Sequence, residues 1–206
     1  MQFLSVWLTT FGAIFACIDP FGYVPLFLAM TPDGNNEKRQ WILRRACTTA
    51  GGVLIVFTLL GSFILSFFGI SIPALQISGG LILLFIGLDM IRVLPINAKI
   101  SVEEETEAAH KEDISIVPLA IPMLSGPASL ATVAVFGAKA EDSMDYLAVI
   151  TSIVLTLAFT YLILRYADRL LKILTLTGVH VLTRIMGLLL SAMAVQFILN
   201  GYEAVR

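Results

Sequence analysis

The sequence predicts an all-α membrane protein: six transmembrane helices forming two inverted-topology three-helix repeats, with helices 1 and 4 broken by proline. Three observations carry that expectation. Apolar residues make up 58% of the 206-residue chain and charged residues only 14%, where an ordinary soluble domain has about a quarter of its residues charged. The charges are also clustered, with no Asp, Glu, Lys or Arg from Ala46 to Leu88 or from Ile114 to Ala138. Finally, two clusters of proline and glycine recur at matching places in the two halves.

A hydrocarbon core of about 30 Å takes roughly 20 apolar residues to cross as helix, so the first uncharged run is long enough for two spans. The apolar segments are Phe3–Met30, Thr48–Phe68, Pro73–Leu94, Ile114–Phe136, Leu147–Leu164 and Ile185–Gly201. Thr31-Pro32-Asp33-Gly34-Asn35-Asn36 leads from the first into a charged stretch ending at Arg45, and Gly69-Ile70-Ser71-Ile72-Pro73 is a tight apolar reversal. Ser101–Asp113 is acidic, has no apolar face wide enough to fold alone, and reads as a solvated linker, with a regulatory contact site as the alternative. The chain is therefore one transmembrane domain over 1–206: repeat one at about 1–97, an acidic cytoplasmic linker at about 98–113 and repeat two at about 114–206. Met1–Gln2 bring no basic region of the kind that opens a cleaved signal, so the first segment is expected to stay as an anchor.

Orientation follows from the basic residues. The loops after spans one, three and five hold Lys38, Arg39, Arg44, Arg45, Arg92, Lys99, Lys111, Arg165, Arg169, Lys172 and Arg184, and the opposite side only Lys139 and Arg206. Both termini are expected on the non-cytoplasmic side of an inner (plasma) membrane.

Composition also excludes several function classes. A net charge of −2 offers nothing to nucleic acid. Cys17 and Cys47 have no companions that would make a disulfide framework or a zinc site. There are two histidines, His110 and His180, too far apart for H-E-x-x-H, and no G-x-S-x-G is evident. No catalytic residue and no metal ligand is assigned, and the chain is not expected to be an enzyme. With no Walker-type loop, ATP is not an internal energy source. No cofactor is expected beyond a possible coupling H+ or Na+.

The repeat rests on Asp19-Pro20-Phe21-Gly22-Tyr23-Val24-Pro25 in the first half and Ile121-Pro122-Met123-Leu124-Ser125-Gly126-Pro127 in the second. Each has two prolines five residues apart with a glycine between them. The third spans also open alike, Ile77-Ser78-Gly79-Gly80-Leu81 against Ile185-Met186-Gly187-Leu188-Leu189. Three spans per half force the second half to enter from the opposite side. Proline removes a backbone donor and clashes with the preceding turn, and lipid cannot satisfy the carbonyls it frees. Paired broken helices near mid-membrane are a recurring construction of secondary-transporter sites, although such kinks also serve packing alone.

Asp19 is the one ionisable group deep inside an expected span. At the helix centre such a residue costs about +2.5 to +3.5 kcal/mol on insertion scales. Preceding Pro20, it could cap a half-helix that restarts there, or bind a coupling cation or proton, or do both. Gly126-Pro127 is the analogous restart in the other half, with Ser125 adding a hydroxyl. Two helix N-termini facing one cavity favour a carboxylate, and unwound carbonyls favour an ammonium, so a zwitterion suits the field. The expected substrate-binding set is Asp19, Pro20, Gly22, Pro25, Gly79, Gly80, Pro122, Ser125, Gly126 and Pro127, with Asp19 the coupling-ion candidate.

The segments Asp19–Pro25 followed by Leu26-Phe27, Ser78-Gly79-Gly80-Leu81 and Val117–Pro127, with the closing Arg184-Ile185-Met186-Gly187-Leu188, resemble the MarC family of integral membrane proteins over nearly the whole chain. The resemblance implies a six-span inner-membrane protein of prokaryotic type, similar in plan to the LysE-type exporters and often described as a transporter, with some relatives linked to small neutral amino acids. The expected function is secondary transport of a small polar or zwitterionic solute. A passive channel and a non-transporting membrane adaptor are the alternatives, and a homo-oligomer is possible.

The remaining polar residues have plainer readings. Gln76, Gln196 and Asn200 suit interhelical hydrogen bonds, Asp89 an exposed pair with Arg92, and Gly187 with Ser191 a small-residue packing face. His110 and His180 are expected in loops.

Overall fold

The computed structural model describes residues 2–31, 35–91, 114–140 and 142–205. The acidic linker, Arg92 and His110 lie outside them. Seven α-helices are present among the described residues: α1 Gln2–Ile18, α2 Tyr23–Met30, α3 Asn36–Phe67, α4 Ile72–Ile91, α5 Pro127–Lys139, α6 Ser143–Arg165 and α7 Ala167–Glu203. Between α4 and α5, the segment Ser115–Leu124 winds in wide turns closed by bonds such as Ser125 N–H to the Ala120 carbonyl at 2.9 Å. Four helices, with α3 counted over Asn36–Gly61, are long and apolar enough to cross a membrane. The number is up to six if two bent pairs count as one span each.

Those bent pairs fall on the two proline clusters. Val6–Ile18 meets Tyr23–Met30 at 48°, and Ser115–Leu124 meets Pro127–Lys139 at 58°. In the second, Val117 and Ile121 are extended (φ −126° and −130°), each being the residue before a proline, where the ring disfavours helical backbone. α5 then starts on Pro127, with Gly126 extended before it.

The turns between helices follow from their residues. The Asn35 side chain accepts from Glu37 N–H and Lys38 N–H at 2.9 and 3.3 Å to start α3, and Asp142 accepts from Asp145 N–H at 2.9 Å to start α6. At the end of α3, Gly69 takes φ +67°. Its N–H reaches the Ser66 carbonyl, and Ile70 N–H reaches that of Leu65 at 2.8 Å. This paired closure needs a left-handed residue, which glycine adopts at no steric cost.

α4 makes its most extensive contact with α7. α1 lies along α6, and α5 along α3, to nearly the same extent; α3 also packs on α6, while α4 touches α5 and both α1 and α2 touch α7. The larger core, with Ile14, Phe27, Leu43, Leu54, Leu119 and Ile153, gathers where α1 and α2, α3, α6 and the proline segment meet. A smaller core of Leu83, Ala128, Val135, Leu190, Ala194 and Phe197 lies under α4 and α7. The long apolar side chains left outside, such as Phe63, Phe85, Val154 and Leu188, lie on helices of membrane-crossing length and suit a lipid-facing surface.

Two local expectations change. His180 is not in a loop but on α7, which begins at Ala167, well before Ile185, and is interrupted at Thr175 (φ 55°). Gln196 bonds Asn200 on its own helix, Nε2 to Oδ1 at 2.7 Å, rather than across helices.

Candidate functional site

The first bend is where chemistry and space coincide. α1 ends at Ile18, and Asp19, with φ 41°, turns the chain while its N–H still reaches the Phe15 carbonyl at 3.0 Å. The helix does not restart at Pro20 as the capping argument expected. Residues 20–22 form a turn and α2 begins at Tyr23. The Asp19 carboxylate nevertheless accepts from Gly22 N–H, a cap-like bond made without a helical turn behind it. A Cβ at Gly22 would occupy the place of Asp19 Oδ2, so this placement of the carboxylate depends on the glycine.

Asp19 is 8% exposed, the only Asp, Glu, Lys or Arg that is buried among the described residues. Its Oδ1 has no hydrogen-bond partner within the protein. The Thr183 side chain, from α7, lies beside the carboxylate, and its Oγ1 makes no hydrogen bond of good geometry within the protein.

A cleft of about 460 Å³ opens at this point. Cys17, Asp19, Gly22, Tyr23 and Pro25 line it from the bend, Ile86, Asp89 and Met90 from α4, and Val179, His180, Thr183 and Arg184 from α7. Asp89, His180 and Arg184 are exposed, so the cleft runs from a charged mouth to a buried carboxylate. A second, smaller cleft of about 230 Å³ is lined by Val6, Thr9, Phe136, Lys139, Ala140 and Asp145. Along α1 the clefts are separated by the rise from Thr9 to Cys17, about 12 Å at 1.5 Å per residue. Thr10, fully buried with an unpartnered hydroxyl, lies between them. Phe136, on the wall of the smaller cleft, packs edge-on against Phe197 with centroids 5.9 Å apart.

Of the residues singled out from the sequence, Asp19, Gly22 and Pro25 line the larger cleft, and Pro20 is buried in the turn beside it. Pro122, Ser125, Gly126 and Pro127 form the second bend. There the Ser125 hydroxyl donates to the Ala120 carbonyl at 2.8 Å, and a Cβ on Gly126 would meet the Pro122 carbonyl oxygen at 2.5 Å. The two bends touch through Tyr23, whose hydroxyl donates to the Met123 carbonyl at 3.2 Å. Gly79 and Gly80 lie at helix contacts, where a Cβ would meet Ala131 Cβ at 3.3 Å and the Ala194 carbonyl oxygen at 2.8 Å respectively.

Tyr23, Asp89, His180, Thr183 and Arg184 were not assigned to the site from the sequence. The available signal was the spacing of His180, Thr183 and Arg184, which places them together on one helical face. No group of three or more metal-ligating His, Cys, Asp or Glu side chains occurs among the described residues.

Comparison with known proteins agrees with this architecture. The sequence profile of the MarC family integral membrane proteins matches residues 4–205. A UPF0056 membrane protein of Methanocaldococcus jannaschii is 41% identical over 199 residues, covering 96% of each chain. The UPF0056 membrane protein YhcE of Escherichia coli is 32% identical over 97% of this chain and 93% of its own, and YvbG of Bacillus subtilis is 32% identical over 94% and 92%. No solved structure matches the chain. A multi-pass helical chain with two bent helix pairs and a family match along almost its whole length belongs to the MarC family of integral membrane proteins.

Proposed function

We propose that the protein is a secondary transporter of a small polar or zwitterionic solute, a neutral amino acid in the leading reading, with its binding site between the two broken helices. The observation that carries this is Asp19: a buried carboxylate at the turn of a bent span, unpaired on one oxygen, and open to a cleft of about 460 Å³. Intramembrane ionisable groups are costly and mark substrate or ion pathways by default, and the volume lies within the range of small-molecule sites.

Two further features support the reading. The Tyr23–Met123 bond joins the two bends, as a single site shared by both halves requires. The helix contacts also suit an inverted repeat: α1 lies on α6 as α5 lies on α3, α4 crosses α7, and α3 packs on α6. That is the pairing expected when two three-helix halves exchange places about a two-fold axis. The larger cleft would face the cytoplasm, with both termini outside, and the smaller one the opposite side of an inner membrane. Pro20, Gly22 and Pro25 would shape the wall at the first bend, while Pro122, Ser125, Gly126 and Pro127, which line neither cleft, would act through the contact of Tyr23 with Met123. Gly79 and Gly80 would act by letting α4 approach its neighbours.

The test is reconstitution into liposomes with radiolabelled glycine, alanine, serine and threonine, with and without proton or sodium gradients. Saturable uptake that follows one gradient is the expected result. Flux without saturation would instead make the protein a passive pore, and no flux from folded, oriented protein would leave only the adaptor reading.

A further inference from the structure

The larger cleft ends on a cluster of groups that can each present an electron-rich oxygen to it. Asp19 contributes a buried carboxylate whose Oδ1 has no partner, and Thr183 contributes a hydroxyl oxygen that is also shielded and unpartnered. α1 ends at Ile18, so its last carbonyls point at this turn, and Pro20 has no N–H to give to the carbonyl of Ala16. The C-terminal end of a helix is its negative pole. The bend thus brings a helix C-terminus, a carboxylate and a hydroxyl oxygen to one place.

No Lys, Arg or His side chain among the described residues pairs with them. Arg184 and His180 line the cleft mouth opposite Asp89, but none forms an ion pair with Asp19 among the described residues. The other polar groups nearby are engaged elsewhere: the Tyr23 hydroxyl with Met123 and the Cys17 thiol with Thr132 at 3.4 Å. An uncompensated buried carboxylate is strongly unfavourable unless a proton neutralises it or a cation joins it, and the open oxygen beside a second bare oxygen suits the cation. One carboxylate balances one positive charge, which points away from a divalent ion. Gly22 sets the room available, since a Cβ there would lie 3.2 Å from Thr183 Oγ1 and on Asp19 Oδ2.

We propose that Asp19 Oδ1 and Thr183 Oγ1, with space left by the bare backbone of Gly22, bind a monovalent cationic group. An ammonium borne by the solute and a free sodium ion share that chemistry. The inference rests on the transport reading for its purpose, because the cation is either part of the cargo or the ion coupled to it. Binding itself is measurable without transport.

The experiment follows thermal unfolding of the purified full-length protein in choline chloride, replaced stepwise at constant ionic strength by sodium chloride or by methylammonium chloride. The wild type should show a saturable rise in unfolding midpoint with at least one of the two salts, and the salt that acts identifies the source of the cation. Asp19→Asn and Gly22→Ala should abolish the rise. Thr183→Val, which keeps the shape and removes the oxygen, should weaken it roughly tenfold in half-saturating concentration, the scale of one hydrogen bond to a charged group. Gly52→Ala, whose Cβ meets nothing within 4 Å, should leave it unchanged. No saturable rise in the wild type, or one that persists unaltered in both Thr183→Val and Gly22→Ala, overturns the proposal. Amino-acid uptake by vesicles without any cation effect would overturn this inference alone, whereas a cation effect without uptake would overturn the transport reading and leave the site standing.

Discussion

Gly87 of α4 and Gly187 of α7 face each other so closely that a Cβ on either would lie 2.8 Å from the other's carbonyl oxygen. The relationship is reciprocal, and neighbouring positions tighten it: a Cβ on Gly187 would also lie 2.7 Å from Met90 Cβ, and Ser191 closes the other side of Gly87. Hydrophobic burial gives little drive to helix association in lipid, so close backbone packing has to supply it, and small residues make that possible. Ser191, whose hydroxyl returns to the Gly187 carbonyl at 2.8 Å, keeps its polar group within its own helix.

Gly187→Ala and Gly87→Ala are each expected to destabilise the protein by about 1–3 kcal/mol, the usual cost of overpacking a tight contact. Gly52→Ala is the control: with open space at its Cβ, helix propensity alone should stabilise by about 0.5–1 kcal/mol. Thermal midpoints in detergent read both effects. Equal midpoints for the wild type and both crossing-point variants would show that the two helices can separate at no cost.

Arg39 clamps the chain after α2. Its Nε and Nη2 donate to the Thr31 carbonyl at 3.1 and 2.6 Å, and its Nη1 to Asp168 Oδ2 at 2.7 Å. The guanidinium side is 14% exposed and the carboxylate side 58%, so the carbonyl contact should dominate. Arg39→Ala should cost about 1.5–3 kcal/mol, the range for hydrogen bonds to a charged group. Asp168→Ala should cost less than about 1 kcal/mol, as exposed pairs do. Arg39→Lys keeps the charge but not the fork and should recover little of the loss. A double-mutant cycle with strong coupling between positions 39 and 168 would contradict this ranking.

The bends were legible because proline acts locally, and both fall where Pro20–Pro25 and Pro122–Pro127 place them. The reversal at Gly69 was legible for the same reason, since its left-handed backbone is a property of one residue. The backbone around Asp19 was not. The residue pair Asp19-Pro20 suggests a capped restart, but the chain first makes a left-handed turn over which the carboxylate folds, into space that a Cβ on Gly22 would take. The α7 wall of the cleft was missed because His180 and Arg184 interrupt the apolar run that marks a span. The helix continues through them because that face borders a cleft rather than lipid.

Tyr23→Phe removes a hydroxyl that bridges the bends, at 3.2 Å from the Met123 carbonyl. Stability should fall by about 0.5–1.5 kcal/mol, the net value of an ordinary hydrogen bond. Uptake in the liposome assay should fall by a larger proportion, because the bond lies where the two halves meet. A variant as stable and as active as the wild type would show that the bends work independently.

The distribution of Lys and Arg predicts where reagents will reach. A membrane-impermeant maleimide applied to intact cells should label a cysteine substituted for Val205, and should not label one substituted for Arg44 until the membrane is permeabilised. Both positions are exposed. The reverse pattern would invert the orientation, and with it the side on which the larger cleft opens.

The two bends share a proline spacing but not a hydrogen-bonding state. At the second, the Ala120 carbonyl accepts from both the N–H and the hydroxyl of Ser125. At the first, Asp19 Oδ1 has no partner. If the halves trade conformations, the exchange is therefore not between equals: one joint returns its polar side chain to its own backbone, and the other leaves a carboxylate oxygen open. The two end states then differ in free energy even with no gradient across the membrane. On the transport reading proposed above, the resting posture would be written into the chain, and occupancy of the first joint would tilt it.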